Sequence, residues 1–329
     1  MTIRSARCAR AEINDGRAET NDGRERRLMS QDVKFDAVLL LAHGTPSRVE
    51  EVPEYLRRVA NGRVLPAEVV REVAQRFAAV GGSPLTRITL EQGRLLAEAI
   101  GTPVYVGMRN WHPLIAETVR QMIADGVRRV KVVCLAPQNS RTSVGLYKAA
   151  LEAAVNGSGH IETEFVSEWF DHPMLIAAFA ERLRVARIEA PAAPLLFTAH
   201  SVPCRTVQSA PDGVAGDSYG NQAKQTAALV AREADASCWY FAFQSQGMSG
   251  GTWIGPTVER TLDMLRVEGV REVIIQPVGF VCDHVEILYD VDVQFRDHAR
   301  SVGMNVLRPE SLNTSPTFIA ALADVVRGA

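Results

Sequence analysis

Two groups of residues in this chain are of types that do chemistry near neutral pH. The first is acidic: Asp283, Glu286 and Asp290 fall at spacings of three and four, so a helix there would carry them on one face. His284 lies inside the same turn, and Phe280, Val281, Ile287 and Leu288 are too apolar for a helix that only faces water. The second is His200, which closes the apolar run Pro194-Leu-Leu-Phe-Thr-Ala. An imidazole and the Glu286 carboxylate on one cleft floor have two uses. They can bind a borderline divalent metal such as iron, or they can accept protons. A metal held by only two side chains is held loosely, which suits handing it to another ligand better than storing it.

Other chemistries lack their signatures. Ser201 follows His200, but no Gly-x-Ser-x-Gly surrounds it, so a hydrolase elbow is not indicated. No Gly-x-Gly-x-x-Gly follows the first strand and no Walker-type loop is present, so dinucleotide and nucleotide phosphate binding are unsupported. The five cysteines, at 8, 134, 204, 238 and 282, include no Cys-x-x-Cys. That spacing supports neither a zinc ribbon, a disulfide framework nor an iron–sulfur cluster, and it fits a reducing cytoplasm. Net charge is −2 and the isoelectric point about 6.4, so there is no basic footprint for nucleic acid. No apolar run reaches membrane-spanning length.

These residues need elements to position them, and the 329 residues, 47% hydrophobic, are enough for two domains. Residues 1–32 are rich in Arg, Asp, Glu, Asn and Gly and read as a disordered tail, with Met29 a candidate start. Order begins with a buried strand at 35–42, ended by His43-Gly44-Thr45-Pro46. Helical segments follow at about 47–60 and 66–79. After the tight loop Gly81-Gly-Ser-Pro-Leu85, a helix runs to about 99, with Ser83 or Thr86 as its cap. Strands at 104–106 and 130–136 and an edge strand at 161–166 alternate with helices to 125 and over 143–155. The pattern then repeats: helix 172–187, strand 194–201, helix 219–234, strand 239–243, a helix opened by Trp253-Ile-Gly-Pro256, strand 273–277, the acidic helix, a short strand at 304–307 and a last helix from about 314. Leu-Phe-Thr-Ala-His200 echoes Leu-Leu-Leu-Ala-His43. Strands alternating with helices give parallel sheets flanked by helices. The expectation is therefore α/β: two similar Rossmann-like lobes, 33–170 and 171–312, with residues 313–329 a terminal helix packing back on them. Val273, Ile274 and Ile275 make the buried strand that leads into the acidic helix, the place where α/β folds collect ligands.

The chain resembles the ferrochelatases, which insert ferrous iron into a porphyrin in haem synthesis. The resemblance runs from Val38 to the last helix and rests on seven motifs in order: Ala42-His-Gly-Thr-Pro46, Gly81-Gly-Ser-Pro-Leu85, Gly107-Met-Arg-Asn-Trp-His-Pro113, Ala199-His-Ser-Val-Pro203, Gln244-Ser, Trp253-Ile-Gly-Pro256 and the stretch from Pro277 to Asp290. It implies a porphyrin cleft between the lobes, with His200 and Glu286 as the iron-site and catalytic pair and Asp290 as a supporting acid. The next acid position of some relatives is Gln294 here, so no outer metal site is assigned. His43 stands where many bacterial relatives carry Tyr, opposite His200; it would either ligate inserted iron axially or pack under the ring. Arg63 would meet propionates, Ser83 and Tyr147 would offer hydroxyls, and Trp253 and Trp111 would supply apolar walls. Asn110 is assigned no role.

The resemblance further implies Fe2+ as substrate with no permanently bound cofactor and no iron–sulfur cluster. It favours coproporphyrin III over protoporphyrin IX, and a cytoplasmic monomer without membrane insertion. The competing readings are a cobalt or nickel tetrapyrrole chelatase of the same fold and a non-catalytic haem or porphyrin carrier.

Overall fold

The computed structural model describes residues 35–156, 161–209, 216–246 and 251–328. The tail expected at 1–32, with Met29, lies outside these residues.

Two four-stranded sheets, each wholly parallel, form the frame. The first contains β1 (Ala37–Ala42), β2 (Val104–Met108), β3 (Arg129–Cys134) and β4 (Glu162–Val166) in the order β2-β1-β3-β4. The second contains β5 (Leu195–His200), β6 (Trp239–Gln244), β7 (Glu272–Pro277) and β8 (Asn305–Leu307) in the order β6-β5-β7-β8. Counted from its own first strand, each sheet has the same order, which is what the echoed Ala-His strand ends led one to expect. Every residue of β1 is buried, as a parallel strand with helices on both faces requires.

The helices are α1 (Val52–Val59), α2 (Ala67–Ala79), α3 (Leu85–Ile100), α4 (Ile115–Ala124), α5 (Val144–Asn156), α6 (Pro173–Glu189), the short α7 (Cys204–Val207), α8 (Tyr219–Glu233), α9 (Val258–Val267), α10 (Arg296–Ser301) and α11 (Pro316–Arg327). Local chemistry sets several ends. Gly101 takes a left-handed turn after α3, the Thr257 hydroxyl accepts the Arg260 N–H at the start of α9, and Ser315 does the same for Phe318 ahead of Pro316 at the start of α11. The cap expected for α3 is different: Pro84 takes that position, with no side-chain bond. Trp253-Ile-Gly-Pro256 likewise precedes α9 rather than opening it.

The acidic segment departs most from expectation. Ile287–Phe295 is wound as a π-helix that continues into α10. Asp283 stands before it and is drawn off by Arg308, Ser311 and Asn313, so it does not share the face of Glu286 and Asp290.

One apolar core runs through both sheets. Val38 and Leu40 of β1, Leu195 and Phe197 of β5, Phe179 of α6 and Phe318 and Leu322 of α11 belong to it, each at most 1% exposed. In each sheet the direction in which successive strands are added reverses between the first and third strands, giving a switch point there. The loops leaving β1, β3, β5 and β7 at their carboxyl ends therefore collect at the crevice where ligands bind in such sheets.

Candidate functional site: an imidazole–carboxylate pair between the lobes

His200 is the last residue of β5, and Glu286 lies in the turn that starts the π-helix after β7. His200 Nε2 is 3.7 Å from Glu286 Oε2, and their side chains keep 30% and 43% of their surface open. The orientation of His200 is fixed from behind. Its Nδ1–H donates to the Ser201 carbonyl, a group that can only accept, so in the neutral ring the lone pair is on Nε2 and faces Glu286. Tyr219 Oη donates to the His200 carbonyl at 3.0 Å. Ser201 is 1% exposed and gives its hydroxyl to the Ile254 carbonyl at 2.8 Å, which leaves it no nucleophilic role.

Trp253 belongs to the same brace. It bridges Pro203 backbone to backbone, and Ile254 N–H bonds the Val202 carbonyl at 3.0 Å. Gly279 lets the β7 exit pass close to the Ala199 backbone: a Cβ there would lie 2.8 Å from the Ala199 Cβ and 3.0 Å from its Cα.

Glu286 is aimed by His284. That imidazole is buried, and its Nδ1 accepts the Glu286 and Ile287 N–H groups at 3.1 and 3.3 Å, capping the helix. Burial pushes the His284 ring toward its neutral form, as an accepting nitrogen requires. Burial by itself would raise the Glu286 carboxyl, but His200, His284, His43 and Arg76 together outweigh it and hold the group below its ordinary value.

His43 faces this pair from the first lobe, close enough for the Glu286 charge to favour a proton on its ring. Gly44 makes the turn after it with φ +74°, where any Cβ would meet Met108 at 2.7 Å. His43 Nε2 is 2.8 Å from Tyr55 Oη, and the Asn110 amide nitrogen lies 3.1 Å from Nε2 and 3.2 Å from Nδ1. Tyr55 and Asn110 together crowd the nitrogen edge of the ring. Burial, then Arg109, pushes this ring down to about 4, so it is neutral at physiological pH.

Asp290 lies one step along the π-helix, 3% exposed. Ser245, at a strained φ of +59°, donates to its Oδ2, while Oδ1 is buried without a hydrogen bond and 3.8 Å from Arg76 Nη1. Burial raises its carboxyl to about 6. Gln294, the expected departure, points to Glu259 on α9.

Tyr147 is buried, with the Arg109 guanidinium 5.8 Å over its ring. Ser83 is 3% exposed and accepts the Thr45 hydroxyl at 2.7 Å, tying the two glycine loops together. Arg63 is exposed in the α1–α2 loop, and its Nε donates to the Ala60 carbonyl at 3.2 Å. Trp111 packs with Tyr55 instead of standing alone as a wall. Tyr55, Tyr219, the capping role of His284 and the role of Asn110 escaped the sequence reading. Asn110 and His284 carried a signal, their places inside the Gly107–Pro113 and Pro277–Asp290 motifs.

Chemically, the pair suits a cation in passage. A divalent ion with bonds of about 2.1 Å to nitrogen and oxygen fits between atoms 3.7 Å apart and keeps its other positions open. Among the described residues no group of three or more His, Cys, Asp or Glu side chains is placed to hold a metal. Two hollows of about 320 and 510 Å³ lie elsewhere, beside Glu272 and beside Tyr240, and neither is lined by His200 or Glu286.

The two-lobed fold is that of the tetrapyrrole chelatases. The sirohydrochlorin chelatase SirB of Bacillus subtilis subspecies spizizenii, in complex with cobalt, superposes with a TM-score of 0.54 at 13% identity, covering 89% of this chain and 94% of that one. CbiX, the terminal enzyme of sirohaem biosynthesis in denitrifying bacteria, gives 0.52 at 15% identity, covering 89% and 99%. At these identities the likeness is one of fold alone.

Sequence comparison is more specific. The ferrochelatase family model matches residues 35–329. The ferrochelatase of Acidobacterium capsulatum is 58% identical over 302 residues, 87% of this chain and 92% of that protein. The coproporphyrin III ferrochelatase of Geobacillus kaustophilus is 33% identical over 307 residues, 89% and 95%. The chain belongs to the ferrochelatase family. It is an enzyme of haem biosynthesis that inserts iron into a porphyrin, with Fe2+ and the porphyrin as substrates. No described helix is long and apolar enough to cross a membrane.

Proposed function

We propose that the chain inserts ferrous iron into coproporphyrin III through His200 and Glu286, acting as a cytoplasmic monomer. The observation that carries this reading is the 3.7 Å imidazole–carboxylate pair, with the His200 lone pair directed at Glu286. Insertion exchanges two pyrrole N–H protons for one Fe2+. His200 Nε2 accepts the two protons in turn, releasing the first before it takes the second, and the Glu286 carboxylate, already an anion, holds the ion as it sheds water. Asp290, one helical step outward, takes up protons passed from the pair. His43 forms the opposite wall. Tyr147, Ser83 and Trp253 frame the cleft, and Arg63 at the rim offers its guanidinium nitrogens to a propionate. The lobes correspond to residues 33–170 and 171–312, with 313–329 closing them.

The preference for coproporphyrin III is supported by relatives of that name at 32–33% identity, while the 58% identical relative is named only as a ferrochelatase. Steady-state insertion rates under anaerobic conditions, with coproporphyrin III and protoporphyrin IX in parallel, test it. A higher kcat/KM with coproporphyrin III is expected. Faster insertion into protoporphyrin IX would overturn the preference without touching the iron site.

A further inference from the structure

Arg308 lies behind the π-helix and has no contact with His200 or Glu286. Its guanidinium donates from Nε and Nη2 to the two oxygens of Asp292, at 2.9 and 2.7 Å, and from Nη1 to Asp283 Oδ1 at 3.1 Å. The three side chains are only 11%, 20% and 19% exposed. Asp283 is held by more than this one bond. Ser311 Oγ and Asn313 Nδ2 donate to its carboxylate at 2.7 and 2.9 Å, and its own N–H bonds Asn313 Oδ1 at 2.9 Å. Asn313 in turn gives its carbonyl to Gln92 of α3 in the other lobe, at 2.7 Å. The network is therefore anchored outside the helix it touches.

Asp283 stands in the loop just before the helix, and Asp292 lies in its π-wound part. The one fork therefore ties the segment that enters the helix to the helix itself. Glu286, at the helix start, lies between the two tied points.

We infer that Arg308 is a positioning residue for metal insertion: by tying Asp283 to Asp292 it holds the helix start in the place that aims Glu286 at His200. This rests on the reading that His200 and Glu286 handle the ion. A fixed fork on two buried carboxylates suits arginine, and lysine could serve only one arm well.

A double-mutant cycle separates this role from general support of the fold. Insertion rates are followed anaerobically for Arg308→Gln, Glu286→Gln and the double variant, with slow turnovers read over hours. Arg308→Gln should lower kcat by about tenfold or more, the size seen when a group supporting a metal ligand is removed. KM for the porphyrin should stay near wild type while KM for iron rises, and Arg308→Lys should recover part of the rate. In the Glu286→Gln background the loss of Arg308 should cost nothing further. Should Arg308→Gln fail to fold, Asp292→Asn removes the two-pronged contact and is read the same way. Wild-type kcat in the folded variant, or the same fold-loss with and without Glu286, would overturn the inference. A Glu286→Gln enzyme working at the wild-type rate would instead remove the site reading itself.

Discussion

A histidine looks the same in a sequence whether its nitrogens are free or engaged, and His43 shows the consequence. Sequence left two roles for it, axial ligand or wall. In the fold its nitrogens meet Tyr55 and Asn110, and burial keeps it neutral. Ligating iron would cost one of those bonds, whereas His200 Nε2 is already open. The absorption bands of the enzyme's iron-porphyrin product should therefore be the same in wild type and His43→Ala; a change of axial-ligand bands would make His43 a ligand after all. His200 and Glu286 were legible because each follows a strand end inside a long motif. Tyr55 and Tyr219 were not, because a tyrosine in an apolar helix reads as core until its hydroxyl is seen to land on His43 or on the His200 carbonyl.

At the scale of elements, the strands and the order of helices were readable from alternating apolar runs and glycine or proline breaks. The winding of the acidic helix was not. Ile287, Val291 and Phe295 are buried at a spacing of four, a stripe that α and π geometry both accommodate. The partners that hold Asp283 and Asp292 sit far along the chain, at Arg308, Ser311 and Asn313, and no local pattern announces them.

The same helix carries a testable pH dependence. The Asp290 carboxyl is raised from 3.8 to about 6, first by burial, against the Ser245 bond and the Arg76 charge and with help from Glu286. The folded state thus binds this proton more tightly than the unfolded chain. Stability from this group is greatest below pH 3.8 and falls as pH rises through 6, by up to about 3 kcal/mol. Asp290→Asn should raise Tm at pH 8 and match wild type near pH 4, in thermal melts across that range. A Tm loss of equal size at both pH values would contradict it.

At the scale of the molecule, the two lobes are joined as well as facing. A shared core continues from β1 through α6 and α11 to β5. Polar ties reinforce it: Gln138 bonds Thr226 and the Val278 carbonyl, each at 3.1 Å, and Gln222 bonds both Asn139 N–H and Glu168. This build sets His43 and the His200–Glu286 pair on joined elements, so the groups of the site are placed before a substrate arrives. The duplication of a strand-Ala-His unit disclosed the two lobes in advance. The ties between them, such as that of Gln138 to Val278, 140 positions apart, could not be read from any window of sequence.

The account depends most on His200 acting on the porphyrin across from the ion held at Glu286. The direct measurement is anaerobic single-turnover absorbance after mixing Fe2+ and porphyrin with wild type, His200→Ala and Glu286→Gln. Wild type should convert the free-base spectrum to that of the iron porphyrin, and each variant should still bind porphyrin but convert it at least about a hundredfold more slowly. Conversion by His200→Ala at the wild-type rate would contradict the account.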